Sequence, residues 1–123
     1  DFVSVHVRLI PETRGIITRE DLLAMKPSAG FINTSRSGLV EPGALEAALD
    51  AGRPGRLALD VFDREPMTPP VDPLVLHPRV IATPHIGYVT EDDLNRQFAD
   101  IYRQINAFAA GEPINMINPE VRG

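Results

Sequence analysis

An arginine, a glutamate and a histidine stand out in this chain as side chains able to hold an anion and move a proton. Arg36 falls in Gly30-Phe31-Ile32-Asn33-Thr34-Ser35-Arg36-Ser37-Gly38. The first half of that stretch is a short apolar run that reads as a buried strand, and the second half is small and polar, as turns are. The guanidinium offers a planar fork that matches a carboxylate with two parallel hydrogen bonds, and Ser35, Ser37 and Gly38 leave room for a ligand to approach. Taken alone, an arginine beside a turn is most simply a surface residue. His85, in Thr83-Pro84-His85-Ile86-Gly87, carries an imidazole suited to proton transfer near neutral pH. Glu65 is followed by Pro66, which restricts it to extended backbone, and a carboxylate within reach of the ring would orient it. A loop-capping histidine and a solvated glutamate are the plain alternatives. Together the three fit reduction of a 2-oxo acid, with Arg36 on the substrate carboxylate and His85 giving its proton to the carbonyl oxygen. The hydride requires a cofactor, because no amino-acid side chain supplies one.

Such a site needs elements that bring its members together. Asp1-Phe2-Val3-Ser4-Val5-His6-Val7 reads as a strand, apolar on both faces as strands covered on both sides are. Pro11 to Gly15 reads as a turn, and Thr18 as an N-cap with Asp21 three residues on, opening a short helix from Arg19 to Met25. Ile17 and Leu22 suit the flanking hydrophobic staple. The strand Gly30 to Thr34 follows. Pro42 suits a first helical turn, Leu45, Ala48 and Leu49 recur at helical spacing, and Gly52 closes that helix. Leu57 to Val61 and Val80 to Thr83 read as two further strands. Between them, Phe62 to Pro78 is rich in proline and reads as a structureless site loop. A last helix is expected from Thr90 to near Gly111, roughly 30 Å long, with Leu94, Phe98, Ile101, Tyr102, Ile105 and Phe108 as its apolar stripe; the tail Pro113 to Gly123 reads as irregular.

Strands separated by helices imply βαβ units and a parallel sheet, so the carboxyl ends of all four strands share one rim, where ligands of open α/β sheets bind. That rim collects His6, Arg36, Asp60, Glu65 and His85. The convergence turns the balance for Arg36 toward a site.

The remaining composition narrows the function classes. A length of 123 residues suits one compact domain. A net charge of −5 without a basic cluster excludes a nucleic-acid partner. No apolar run approaches a membrane span, and the start lacks the pattern of a signal peptide. The absence of cysteine is compatible with a cytoplasmic protein and removes any thiolate metal site. The spacing of His6, Asp60 and His85 matches no metal motif, and no metal is expected.

Val5-His6-Val7 with Pro11-Glu12-Thr13-Arg14, then Ile32-Asn33-Thr34-Ser35-Arg36, Leu59-Asp60-Val61-Phe62 with Glu65-Pro66, Thr83-Pro84-His85-Ile86-Gly87 and Ile117-Asn118-Pro119 resemble, in order and spacing, the D-isomer-specific 2-hydroxyacid dehydrogenases. The resemblance implies the carboxyl-terminal half of a Rossmann-like NAD-binding domain over residues 1–89, then a long crossover helix and tail over 90–123. It implies an enzyme interconverting a D-2-hydroxy acid and its 2-oxo acid, with Arg36, Glu65 and His85 catalytic. It places Thr34, Asp60, Gly87 and the Val7 backbone against the nicotinamide half of NAD, or of NADP, with Asp60 accepting from the carboxamide, and counts His6, Ser35 and His85 among the further cofactor-binding residues. Arg8 stands where the family usually has proline, and Ser37 where glycine is commoner. The family's glycine-rich phosphate loop and substrate domain have no counterpart here, so the resemblance marks the chain as a carboxyl-terminal fragment. An NAD-binding sensor without turnover and an inactive remnant are the alternative functions. In the family the first strand lies mid-sheet, so an unpaired edge at Phe2 to Val7 is expected, and with it a homodimer or a complex with a complementary half-chain.

Overall fold

A computed structural model describes residues 1–121. Four strands, β1 (Phe2–Val5), β2 (Gly30–Asn33), β3 (Arg56–Leu59) and β4 (Val80–Ala82), are separated by the helices α1 (Arg19–Ala24), α2 (Ala44–Ala51) and α3 (Pro73–Leu76), and α4 (Glu91–Ala109) follows. The chain divides into two compact units, Asp1–Gly87 and the segment from Tyr88 onward. All strand pairings in the first unit are parallel, and the sheet order β1-β2-β3-β4 repeats the chain order. This is the parallel α/β architecture that the alternation of strand and helix patterns predicts.

The last rung of the sheet joins Val5, Asn33, Leu59 and Ala82. The expected strands run one or two residues further, to Val7, Thr34, Val61 and Thr83. The Asp60 and Thr83 amides still donate to the Asn33 and Leu59 carbonyls, and beyond them side-chain hydrogen bonds take over, from Ser35 to the Val7 carbonyl and from Thr83 and the Ile86 amide to Asp60. One face of the sheet is packed. Val5, Phe31, Leu57 and Leu59 form a continuous core with Leu22 of α1, Ala44, Ala48 and Leu49 of α2, the neighbouring Leu39 and Val40, and Leu74 of α3. Alternate residues face the other way, and there Phe2 is 76% exposed and Ile81 69%. The expectation that β1 is covered on both sides is therefore corrected within this unit: its valine-rich sequence suits a doubly covered strand, but the unit's own helices α1, α2 and α3 pack on one face, and β1 is the edge of the sheet.

Local sequence sets the helix ends. Thr18 accepts from the Asp21 amide while the Asp21 carboxylate accepts from the Thr18 amide, a full capping box. Pro42 lies outside α2, contrary to expectation, because Gly43 takes the N-cap in left-handed backbone (φ 77°). Gly52 caps the other end, also left-handed (φ 67°), its amide donating to the Ala48 and Leu49 carbonyls. The connection from Phe62 to Pro78 is not structureless: the Asp72 carboxylate caps the Leu74 amide at 2.9 Å and Pro73 starts α3, a helix too short for periodicity to reveal. Further 3-10 turns lie at Pro11–Thr13, at Ser37–Leu39 and, in the tail expected to be irregular, at Pro119–Val121.

In the second unit Thr90 caps α4 by accepting from the Asp93 amide, with Glu91, Asp92 and Asp93 at the positive end of the helix. Its stripe is exposed, Phe98 by 52% and Phe108 by 75%, and the Phe98 and Tyr102 rings lie 6.4 Å apart. Among the described residues no helix is long and apolar enough to cross a membrane.

Candidate active site

The polar residues of the rim follow directly on the last rung, because parallel strands end together. After β2, the side chain of Asn33, 1% exposed, shapes the turn: Nδ2 donates to the Arg36 carbonyl at 2.9 Å and Oδ1 accepts from the Ser35 amide at 3.0 Å. Ser35 Oγ donates to the Val7 carbonyl at 2.8 Å, tying this turn to the end of β1. Arg36 is thereby held on the rim, exposed, with Nη1 donating to the Ser35 carbonyl at 2.6 Å. Asn33 has no role in the sequence reading. Its signal was an asparagine closing a strand ahead of a small polar run, the position from which its side chain mimics a backbone turn.

Asp60, after β3, is 3% exposed and organises the turn after β4. Its Oδ1 accepts from the Thr83 hydroxyl at 2.5 Å and the Ile86 amide at 2.9 Å, and its Oδ2 accepts from the Gly87 amide at 2.7 Å. Burial pushes the Asp60 carboxyl up, but the hydrogen bonds from Thr83, Ile86 and Gly87, with the nearby His85, outweigh it and hold it below the usual carboxylate range. A Cβ on Gly87 would sit 2.9 Å from Oδ2, so the close approach needs glycine. Between these bonds His85 adopts left-handed backbone, φ 55°. For a residue other than glycine that conformation costs on the order of 1–3 kcal/mol and persists only where the surroundings impose it; here the amides on its carboxyl side are pinned by Asp60.

Glu65 meets His85 directly. Its Oε2 lies 2.5 Å from His85 Nδ1, and its Oε1 accepts from the Phe62 amide at 2.7 Å. The His85 hydrogen bond, then the Phe62 amide, lower the Glu65 carboxyl against partial burial, with the His85 and Arg36 charges assisting. The structure thus joins Glu65 to His85 and brings Arg36 within electrostatic range. His6 remains apart: exposed at the end of β1, its Nε2 lies 2.8 Å from Ser4 Oγ. Among the described residues no group of three or more His, Cys, Asp or Glu could hold a metal ion.

An apolar cavity of about 380 Å³ adjoins the pair, lined by Phe62, Glu65, Pro66, Met67, Val75, Ala82, Thr83, Pro84 and His85. A larger one, about 500 Å³, borders the start of α2 with Arg14, Glu41, Glu46 and Asp63 in its wall. It contains none of Arg36, Glu65 and His85, so the chemistry favours the smaller cavity.

Residues 1–87 match the family described as D-isomer specific 2-hydroxyacid dehydrogenase, NAD binding domain. The chain belongs to this family. Among curated relatives, it is 40% identical over 122 residues to a glyoxylate reductase of Korarchaeum cryptofilum, covering 98% of this chain and 36% of that protein. It is 39% identical over 115 residues to a D-3-phosphoglycerate dehydrogenase of Bacillus subtilis, covering 93% of this chain and 21% of the relative. A crystal structure from Ralstonia solanacearum, described as a D-3-phosphoglycerate dehydrogenase oxidoreductase, superposes with a TM-score of 0.87 at 42% identity, covering all of this chain and 36% of that one. This 2-hydroxyacid dehydrogenase domain therefore spans about a fifth to a third of the length of the relatives it matches. Membership explains why the Rossmann-like parallel sheet and the separate motifs of the rim occur together in one short chain.

Proposed function

We propose that this chain contributes the proton-transfer and substrate-carboxylate groups of an enzyme that interconverts a D-2-hydroxy acid and its 2-oxo acid. The observation that carries the reading is the 2.5 Å contact between Glu65 and His85 on a rim shared with Arg36. With Nδ1 against Glu65, the carboxylate orients the ring and selects the tautomer and protonation state that place a proton on Nε2, the nitrogen that serves the substrate in this reading. Arg36 grips the substrate carboxylate with its fork, fixing the carbonyl oxygen near His85. In reduction that oxygen takes its proton from His85, and in oxidation His85 takes the hydroxyl proton back.

NAD, or NADP, supplies the hydride when bound. The donors and acceptors present fit a nicotinamide. The groups on its expected side include the acceptors of Asp60 and the Val7 carbonyl, suited to a carboxamide NH₂. Asp60 already accepts three hydrogen bonds of the roughly four sites a carboxylate offers, which leaves one for a ligand. His6, Val7, Thr34, Ser35, Asp60, His85 and Gly87 would hold that group. Thr34 and Gly87 are exposed on the rim, as a contact surface must be.

The test is steady-state turnover of a panel of 2-oxo acids with NADH and NADPH, by a protein that carries this domain together with the portions of the relatives it does not span. Turnover that depends on His85 supports the enzyme. Tight NADH binding with no turnover on any acid would replace it with a sensor, and neither binding nor turnover with an inactive remnant. A cytoplasmic setting belongs to the same reading, in keeping with a chain without cysteine. So does a partner for β1, either a second copy or a complementary chain, supported by the 76% exposure of Phe2 on an edge strand.

A further inference from the structure

We propose that Arg64 is a positioning residue that braces the loop presenting Glu65 to His85. The proposal rests on the reading of Glu65 as the carboxylate that orients the proton-transferring histidine. Glu65 is borne by a segment that has little else to hold it. Prolines at 66, 69 and 70 remove amide donors, and among the described residues no backbone-to-backbone hydrogen bond involves residues 63–71. The Arg64 guanidinium fills that gap. Its Nη2 donates to the carbonyls of both Thr68 and Pro70, folding the segment back on itself around the Glu65-Pro66-Met67 corner. Two donors on one planar nitrogen suit two converging carbonyls. Thr68 precedes a proline and Pro70 follows one, so neither carbonyl lies beside a full complement of amide donors. The brace leaves the Glu65 carboxylate to bridge the Phe62 amide and His85 Nδ1. The Arg64 hydrogen bonds go to backbone carbonyls, so its action on the bridge runs through the backbone.

The charged groups facing Glu65 are His85 and Arg36, so a loss of position is separable from a loss of Arg64 charge. Carboxyl ¹³C NMR of this chain reads the titration of Glu65 in the native sequence and in Arg64→Gln, at low salt and at high salt. Position predicts that Glu65 titrates at higher pH in Arg64→Gln than in the native chain, by the same amount at both salt levels, and that the Phe62 amide exchanges faster with solvent. A difference that vanishes at high salt, where charge effects are screened, or an unchanged Glu65, overturns the proposal. Asp21, held below its usual range by Thr18 in the distant capping box, monitors the fold. Should Arg64→Gln lose the Asp21 signature, Arg64→Lys is read against the same criteria. In the complete enzyme Arg64→Gln lowers kcat for 2-oxo acid reduction severalfold with the KM for NADH unchanged. Absence of turnover in the native enzyme would sink the functional reading and leave the NMR result to decide on Arg64.

Discussion

His85 sits in backbone that its side chain does not favour, and that strain is useful only if the ring must point one way. Asp60 supplies the constraint from below and Glu65 from the side, so the imidazole has both its backbone and its Nδ1 fixed. His85→Ala in the complete enzyme should cost on the order of a hundredfold or more in kcat, with NADH affinity far less affected; equal loss of both, measured by turnover and by cofactor titration, would deny it the proton. Arg36→Lys should impair substrate binding and turnover, since a point charge cannot reproduce a bidentate fork; unchanged kcat and KM would remove Arg36 from the site. Asp60 and Glu65 also link the site to stability. Both titrate below the usual carboxylate range, so the unfolded chain binds protons before the folded one does as pH falls. Their stabilisation is fully present above about pH 4, the ordinary value, and is lost as pH drops through the lowered folded values. Urea midpoints followed from pH 6 down should decline over that range, and Asp60→Asn should flatten the decline. The catalytic types were legible at this scale because Arg, Glu and His announce their chemistry. Asn33 and Arg64 were not, because their work is to hold backbone, and only the folded turns show which carbonyls they reach.

Helices and strands were legible to the extent that their signals were local. The Thr18 capping box, the Gly52 stop and the Thr90 start all lie where composition puts them. The proline after Glu41 misleads, because a proline one residue ahead of an N-cap and a proline in the first turn have the same sequence neighbours. Helix α3 escapes detection because four residues cannot display a 3.6-residue period. Gly52→Ala tests the cap in isolation: a Cβ there would meet only Arg79 Nη1, at 3.7 Å, so the cost is conformational. It should destabilise by about 1 kcal/mol, measured as a lower urea midpoint of unchanged slope.

Within the first unit the sheet is packed on one face by that unit's own helices, with an open edge at β1. What covers the other face lies beyond any periodicity in these residues, since a strand pattern reports that a face is apolar and not what meets it. Phe2 and Ile81, both on that face and both more than two-thirds exposed, are the natural points of association. Light scattering at micromolar concentration should find the chain larger than a monomer, and Phe2→Lys with Ile81→Lys should return it toward one; a native chain that is already monomeric would contradict this. The sequential order of the strands bears on how quickly the sheet assembles. Phe2 pairs with Gly30, Gly30 with Arg56 and Leu57 with Val80, so each new strand closes a loop of roughly 25 residues and never waits for a more distant segment. Parallel sheets are ordinarily slow to form because their contacts are remote in the chain. Here the sheet can grow one crossover at a time from either end, and the helix of each crossover is available to cover the packed face as its strand arrives.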